Sequence, residues 1–380
     1  MRRQIILSYI SLIFISSCNF SQNLQVPENQ FLVKTKSLRL PLDEKSTYEF
    51  YIYQVVRDTL LVLNQVNYSL DFYSLSDQKL IHRIPVEREG VNGLERLNTF
   101  YYHNADSIFL FPQFLLKNSL IVDLSGNIVD RIKHNEFTSD IDGLINHVGT
   151  PSVPSILFGN ELHFSVYPLL DASLQDGNFI TEHSLNLISG DFTSYNYVKK
   201  PNVFHDQRWI EETFKRVKIG PEEWYFSWNL SDTVYHIKGE NGVLIESIPI
   251  PMNGEISTKP QPVPKDKYKE KWPKMMSEGY VYGRILLDLE KNIIHRIRFL
   301  PLAESKTKNS DIINIYLSKD FEILTYNLNG EFFGSTKFKA GIYDPLVPFL
   351  GPDGIYLPRI HPNYKNLNED EIVYDVFSAK

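Results

Sequence analysis

Residues 119–132, SLIVDLSGNIVDRI, decide the fold. An apolar run ends at Asp123, a tight turn follows at Ser125 and Gly126, and a second apolar run begins at Ile128. Aliphatic and β-branched side chains suit a pleated, half-buried surface, and a Ser-Gly pair tolerates the dihedrals of a hairpin turn. The unit recurs. SLDFYSLSDQKLIHRI (69–84), HSLNLISGDFTSYNYV (183–198), TVYHIKGENGVLIESI (233–248) and FEILTYNLNGEFFGSTKF (321–338) share the plan of strand, turn and strand.

A second hairpin precedes most of these. TYEFYIYQVVRDTLLVLN (47–64) turns at Arg57-Asp58, LNTFYYHNADSIFLFP (97–112) near Asn104 to Asp106, PSILFGNELHFSVYP (154–168) at Gly159-Asn160, and YVYGRILLDLEKNIIHRIRFLP (280–301) around Leu289 to Lys291. Two hairpins make a four-stranded meander, and a meander repeating roughly every 50 residues or more is the mark of a β-propeller. The reading is an all-β, six-bladed β-propeller of four-stranded antiparallel blades. Blades are expected at 47–86, 97–134, 154–198, 216–250 and 280–338. The sixth takes its strands from 347–360 and 371–379, and FLVKTKSLRLPL (31–42) closes it, because a ring removes its open edge by joining the chain ends in one blade. DIINIYLS (311–318) is then one strand too many, an insertion or an edge strand. Helical periodicity is confined to 207–217 and 266–278. A large β-sandwich or two stacked β domains compete with this reading.

The chain has 380 residues, 42% hydrophobic and 22% charged, which is globular composition with length for a large core. A formal charge of −7 without a long basic run argues against nucleic acid as a partner. At the N-terminus, Arg2 and Arg3 precede a short apolar stretch, Ile5 to Ile15, and then Ile15-Ser16-Ser17-Cys18. The stretch is too short for a permanent bilayer span and reads as a processing signal. Cys18 is the one cysteine of the chain, so it forms no internal disulfide. The expectation is a lipoprotein signal over residues 1–17, lipidation at Cys18, a polar tether over 18–30, and one domain over 31–380. The alternative is an ordinary secretory signal with an incidental cysteine. The first acidic residue after Cys18 is Glu28, which favours the periplasmic side of a Gram-negative outer membrane over surface display.

The lipobox, the aromatic-rich hairpins, YGRILLDLEKNIIHRIRFL (282–300) and FEILTYNLNGEFFGSTKF…GPDGIYL (321–357) resemble a family of uncharacterised Bacteroidetes-type lipoproteins with a TolB-like six-bladed propeller. The resemblance implies a fold and an export route. It brings no activity and no catalytic residues.

Strand direction alternates in a meander. Turns between strands 1–2 and 3–4 therefore share one rim, and 2–3 connections and links between blades share the other. The first rim holds short turns; the second holds long loops such as 85–98, 134–154, 168–184, 199–216, 251–280 and 301–310. Long loops on a rigid scaffold are where binding usually resides. Candidate ligand contacts on that rim are Arg88, Asn92, Asn146, His147, Arg208, Trp209, Tyr280, Tyr282 and Arg284, drawn from different blades that meet at one axis. Arg and Trp dominate binding hot spots, and an Arg in the channel can hold an anionic group bidentately. Arg284 can equally pair with a core carboxylate such as Asp288. The closing strand starts at the short-turn rim, so the tether hangs there and the long-loop face points away from the membrane.

GxSxG, HExxH and CxxC are absent, and the ten histidines lack metal-ligand spacing, so neither metal nor cofactor is expected. Acidic pairs for glycosidic cleavage remain open among Asp140, Asp142, Asp206 and Glu211. The expected function is a monomeric, lipid-anchored envelope module binding a glycan, peptide or protein. The alternative is an envelope hydrolase or lyase acting on a carbohydrate or small substrate at the channel.

Overall fold

In the computed structural model the described residues are 30–90, 92–112, 116, 118–135, 145–168, 180–198, 213–229, 231–252, 254, 267–302 and 312–380. They form six antiparallel sheets in chain order, one per blade. Blade 1 comprises Tyr53–Val56, Thr59–Asn64, Ser69–Ser74 and Lys79–Pro85. Blade 2 comprises Leu97–Asn104, Ser107–Pro112, Leu120–Val122 and Ile128–Arg131. Gly126, in the turn that opened the sequence reading, has a φ of 83°, in the left-handed region where a side chain is costly. Blade 4 comprises Phe214–Gly220, Glu223–Trp228, Thr233–Glu240 and Val243–Pro251; blade 5, Val281–Asp288, Ile293–Phe299, Phe321–Asn327 and Phe332–Phe338.

Blade 6 unites the two ends of the chain. Its strands are Phe349–Gly351, Gly354–Pro358, Glu371–Ala379 and, outermost, Leu32–Pro41. Leu32 pairs with Ala379 and Pro41 with Glu371. Behind that register Asp375 accepts from Ser37 Oγ at 2.7 Å and from Lys34 Nζ at 2.8 Å, joining the first and last strands by charge as well as by backbone.

Blade 3 departs from the expected plan. Its second strand, Glu161–Pro168, pairs on one side with two short segments, Ile156–Phe158 and Ile145–Val148. The inner strand is thus split, and Ile145–Val148 belongs to the sheet, whereas the sequence placed it in a loop. The remaining strands of this blade are Glu182–Asn186 and Phe192–Ser194. The segment 312–318 is a second difference. Ile312–Ser318 is a helix, not a strand, and it packs against the helix Tyr268–Glu278, with Tyr316 edge-on to Phe299 at 4.8 Å. A run of seven apolar-rich residues is ambiguous by periodicity, and packing on a helical neighbour decides it. The helix expected over 207–217 gives way from Phe214 onward to the inner strand of blade 4; residues 207–212 lie outside the described set.

The core lies between blades. Second and third strands are covered on both faces by neighbouring blades, so Leu60, Leu61, Val62 and Leu63 are all buried in succession. Between blades 6 and 1, Leu38, Tyr53, Tyr73, Phe349, Tyr356 and Tyr374 form one apolar cluster. Burying each such side chain contributes about 1.5–3 kcal/mol before entropy is counted.

Candidate functional site

The inner strands converge on the axis, and Arg284 occupies it. In Val281–Asp288 the register slips between Tyr282 and Ile285, a bulge at Gly283-Arg284. A bulge re-aims the side chain it carries. Arg284 accordingly leaves the blade face and crosses the axis. Its guanidinium donates to Tyr53 Oη of blade 1, to Pro348 O at the entry of blade 6 (2.8 Å), and to Pro151 O in blade 3 (2.5 Å). One side chain ties blade 5 to three others. Tyr53 donates in turn to Pro348 O at 2.6 Å. All of these partners are neutral. Burial pushes the Arg284 pKa down to about 9, which leaves it charged at neutral pH. Asp288, the carboxylate that offered a core partner in sequence, instead pairs with Lys291 at 3.0 Å.

Tyr53 opens its strand and Pro348 precedes one, which puts the guanidinium toward the long-loop end of the axis, while Pro151 lies between the two segments of the split inner strand of blade 3. The guanidinium lines a cavity of about 230 Å³ together with Tyr53 and Pro151 and, toward the short-turn rim, Val55, Lys218 and Leu287.

Beside this cavity, between blades 3 and 4, stands a charged cluster that sequence reasoning missed. Phe214, Arg216 and Lys218 alternate onto the buried face of the inner strand of blade 4, opposite Trp228, Phe226 and Trp224. Arg216 Nε meets Glu182 Oε1 at 2.7 Å and Ser165 Oγ at 2.8 Å, while Trp224 Nε1 donates to Glu182 Oε2 at 3.2 Å. Both terminal nitrogens of Arg216 are buried without a hydrogen-bond partner among the described residues. Lys218 lays its ammonium 3.5 Å from the centre of the Trp224 ring and donates to Pro221 O. Burial lowers its pKa to about 6, with Glu182 opposing the shift. His163 is buried with neither ring nitrogen bonded; it stacks on Tyr195 at 5.6 Å, and burial lowers its pKa to about 2. The missed signal was a period of two: apolar partners on the facing strand mark Arg216 and Lys218 as inward positions.

The sequence-derived candidates do not all meet. Arg284 is on the axis. Tyr282 is buried between blades 4 and 5, with the Arg296 guanidinium 4.5 Å from its ring; Tyr280 lies beside Arg298 at 5.1 Å. The bulge separates both tyrosines from Arg284. Arg88 is at the ring's periphery, over Tyr68 at 4.0 Å and bonded to Val66 O. Asn92 lines a groove of about 770 Å³ between blades 1 and 2. Asn146 and His147 pair through their backbones with Tyr167 and Val166. Arg208 and Trp209 lie outside the described residues, as do Asp140, Asp142, Asp206 and Glu211. Among the described residues no group of three His, Cys, Asp or Glu side chains could hold a metal ion. No described helix is long and apolar enough to cross a membrane.

With six blades closed by the N-terminal strand, the chain matches a family model over residues 19–329, described as "Domain of unknown function (DUF4221)". The chain belongs to the DUF4221 family. A crystal structure of a DUF4221 member from Bacteroides vulgatus superposes with a TM-score of 0.76 at 17% identity, covering 92% of this chain and 98% of that one. A putative exported protein from Bacteroides fragilis superposes with a TM-score of 0.53 at 11% identity, over 94% of this chain and 97% of that one. At such identities the likeness carries the fold alone. No curated protein matches this DUF4221 chain.

Proposed function

We propose that this DUF4221 chain is a lipid-anchored binding propeller of the Gram-negative envelope that takes an anionic group of a glycan, peptide or protein at the long-loop mouth of its axis. Residues 1–17 are removed, Cys18 carries the lipid, 18–30 are the tether and 31–380 the binding domain, on the periplasmic side of the outer membrane. The observation that supports the ligand class is Arg284: a half-buried guanidinium on the axis, bonded to a hydroxyl and two carbonyls and, among the described residues, to no carboxylate. Such a charge attracts an anion, and a planar donor fork fits carboxylate, sulfate or phosphate. Asn146 and His147, in the split inner strand of blade 3, and Arg208 and Trp209, which lie outside the described residues, complete the proposed face.

Two measurements test this. Carboxylated and sulfated oligosaccharides and acidic peptides are screened by thermal shift and then titrated. The expected outcome is binding by one anionic class, weakened about tenfold or more in Arg284→Lys, which keeps charge but loses the fork. Equal binding by that variant, or binding only of neutral ligands, sinks the ligand class. Separately, Cys18→Ala yields soluble protein; retention of that variant in membranes after a carbonate wash sinks the anchor.

A further inference from the structure

The short-turn rim carries apolar side chains in the open. Ile188, in the 3–4 turn of blade 3, is 79% exposed; Val243 and Ile245, just past the 3–4 turn of blade 4, are 60% and 63% exposed. Leu289 in the 1–2 turn of blade 5 and Phe333 just past its 3–4 turn are also exposed. These positions belong to three consecutive blades and lie at, or within a few residues of, short-rim turns. Ile81, Leu124 and Val129 hold like places in blades 1 and 2, and the stretch from Ile188 to Phe333 is the arc of this rim that ends where the chain enters the ring. Turns of a soluble ring ordinarily put polar residues there, and a contiguous apolar patch marks an interaction surface.

What covers the arc is indicated by where the chain enters the fold. The closing strand begins at Leu32, opposite Ala379, on the short-turn rim. Phe31, the residue before it, stacks on Phe333 at 6.2 Å. The chain thus leaves the ring at one end of the arc, and the 12 residues 19–30 reach at most about 40 Å to Cys18. We propose that the arc from Ile188 to Phe333 is a membrane-docking surface, inserted into the interface of the bilayer to which Cys18 is anchored. This rests on the anchor reading above. A handful of exposed aliphatic and aromatic side chains binds a bilayer weakly alone, but a short tether supplies an effective concentration on the order of millimolar. The charge between the apolar positions sets the lipid class. Glu240, Glu246, Glu290 and Glu331 outnumber Lys238 and Lys291 along the arc, so it suits zwitterionic headgroups and gains nothing from anionic ones.

The test separates docking from anchoring, because Cys18 is the one thiol of the chain. The chain from Cys18 onward is coupled through that thiol to a maleimide lipid in phosphatidylethanolamine/phosphatidylcholine vesicles, whether or not cells acylate it. Hydrogen exchange is compared with the uncoupled chain. Exchange is expected to slow in the segments around 186–191, 241–246, 289–292 and 331–334, and to stay unchanged at 65–68 and 359–370 on the opposite rim. The triple change Ile188→Asp, Ile245→Asp and Phe333→Asp removes the protection while the melting temperature holds. Adding phosphatidylglycerol does not increase it. Docking is overturned by absent protection, by equal protection on both rims, or by protection that appears without vesicles and grows with protein concentration, which would mark self-association. Absence of acylation in cells, with protection intact on coupled vesicles, removes the anchor and leaves the surface.

Discussion

Two buried carboxylates solve the same problem differently. Asp375, on the C-terminal strand, is 1% exposed and accepts from Arg359, Lys34, Tyr343 and Ser37. Burial raises its pKa, but those four donors outweigh burial and hold it below the usual carboxylate range. Glu182, between blades 3 and 4, is equally buried, yet its cation Arg216 is satisfied only through Nε. Lys218 and His163 stand nearby, with no carboxylate among the described residues bonded to either. The seam that closes the ring is saturated and its cations reach water. The blade 3–4 interface leaves the Arg216 guanidinium half-satisfied, beside an amine and an imidazole that burial pushes toward their neutral forms. A closed network fixes register; a half-closed one costs stability and is retained for something else.

The largest expected effect breaks the seam outright. Without Leu32–Pro41, the strand Glu371–Ala379 presents an open edge and the apolar face of blade 6 is uncovered. The shortened chain should lose cooperative melting and elute as aggregate in size-exclusion chromatography. A monomer melting like the parent would remove closure as the source of stability.

Next come the carboxylates themselves. Glu182→Ala leaves a fully buried guanidinium with no anionic partner, only Ser165 Oγ, and should cost about 3–5 kcal/mol in urea unfolding. Asp375→Ala should cost less, about 2–3 kcal/mol, because Lys34 and Arg359, with side chains 38% and 22% exposed, can turn to water. The reverse order would mean that saturation, not escape of the stranded cation, sets the cost.

Acid should separate the regions further. His163, His183 and His295 are held neutral by burial, with pKa values lowered from 6.5 to about 2, 4 and 4. The unfolded chain takes up these protons below about pH 6.5 while the folded chain refuses them. Stability is therefore full above pH 6.5 and falls as pH drops, by up to about 2 kcal/mol per histidine at pH 5. Asp375 contributes in the same sense but in a lower window: its stabilisation is present above its unfolded pKa of 3.8 and fades only below that. Urea midpoints that are flat from pH 7 to 5 would contradict the neutral histidines. His163→Phe, which removes no hydrogen bond, should blunt the slope.

The smallest effect is a gain. Lys218 binds its proton more weakly folded, near pH 6, than unfolded, near 10.5, so stability rises with pH across that window. Lys218→Met should add about 1 kcal/mol at pH 7 and flatten the rise. A destabilised variant would show that the Trp224 contact outweighs the cost of burying the amine.

The six blades and the closing role of residues 31–42 were legible because hairpin chemistry is local: turn residues between alternating apolar runs. What escaped was non-local. Ile312–Ser318 reads as a strand until a neighbouring helix is there to pack on. Ile145–Val148 is a strand only because Glu161–Pro168 offers a free edge. The asymmetry of the rims holds in outline, with turns of two to five residues on one side, although the connections 65–68 and 229–232 on the other side are also short. At the site, Arg284 was named from its strand, but its axial position depends on a bulge that no local pattern announces. Arg216, Lys218, Glu182 and His163 were passed over because charged residues in strands are expected to face solvent.

Ring closure also fixes an order of events. Ser37 and Asp375 are separated by 338 positions in the chain. Bringing them together costs about 5 kcal/mol of loop entropy, recovered only when the final strand docks. Of the strands of the ring, the one made first is therefore the last to find its place. Until residues 371–379 have been made, every partial chain is an open fan of blades with exposed edges and an unpaired leading strand. Such contacts fold slowly and leave long-lived, aggregation-prone precursors. The interval between the synthesis of residues 32–41 and that of residues 371–379 is thus the time in which the chain most needs shielding from its own open edges.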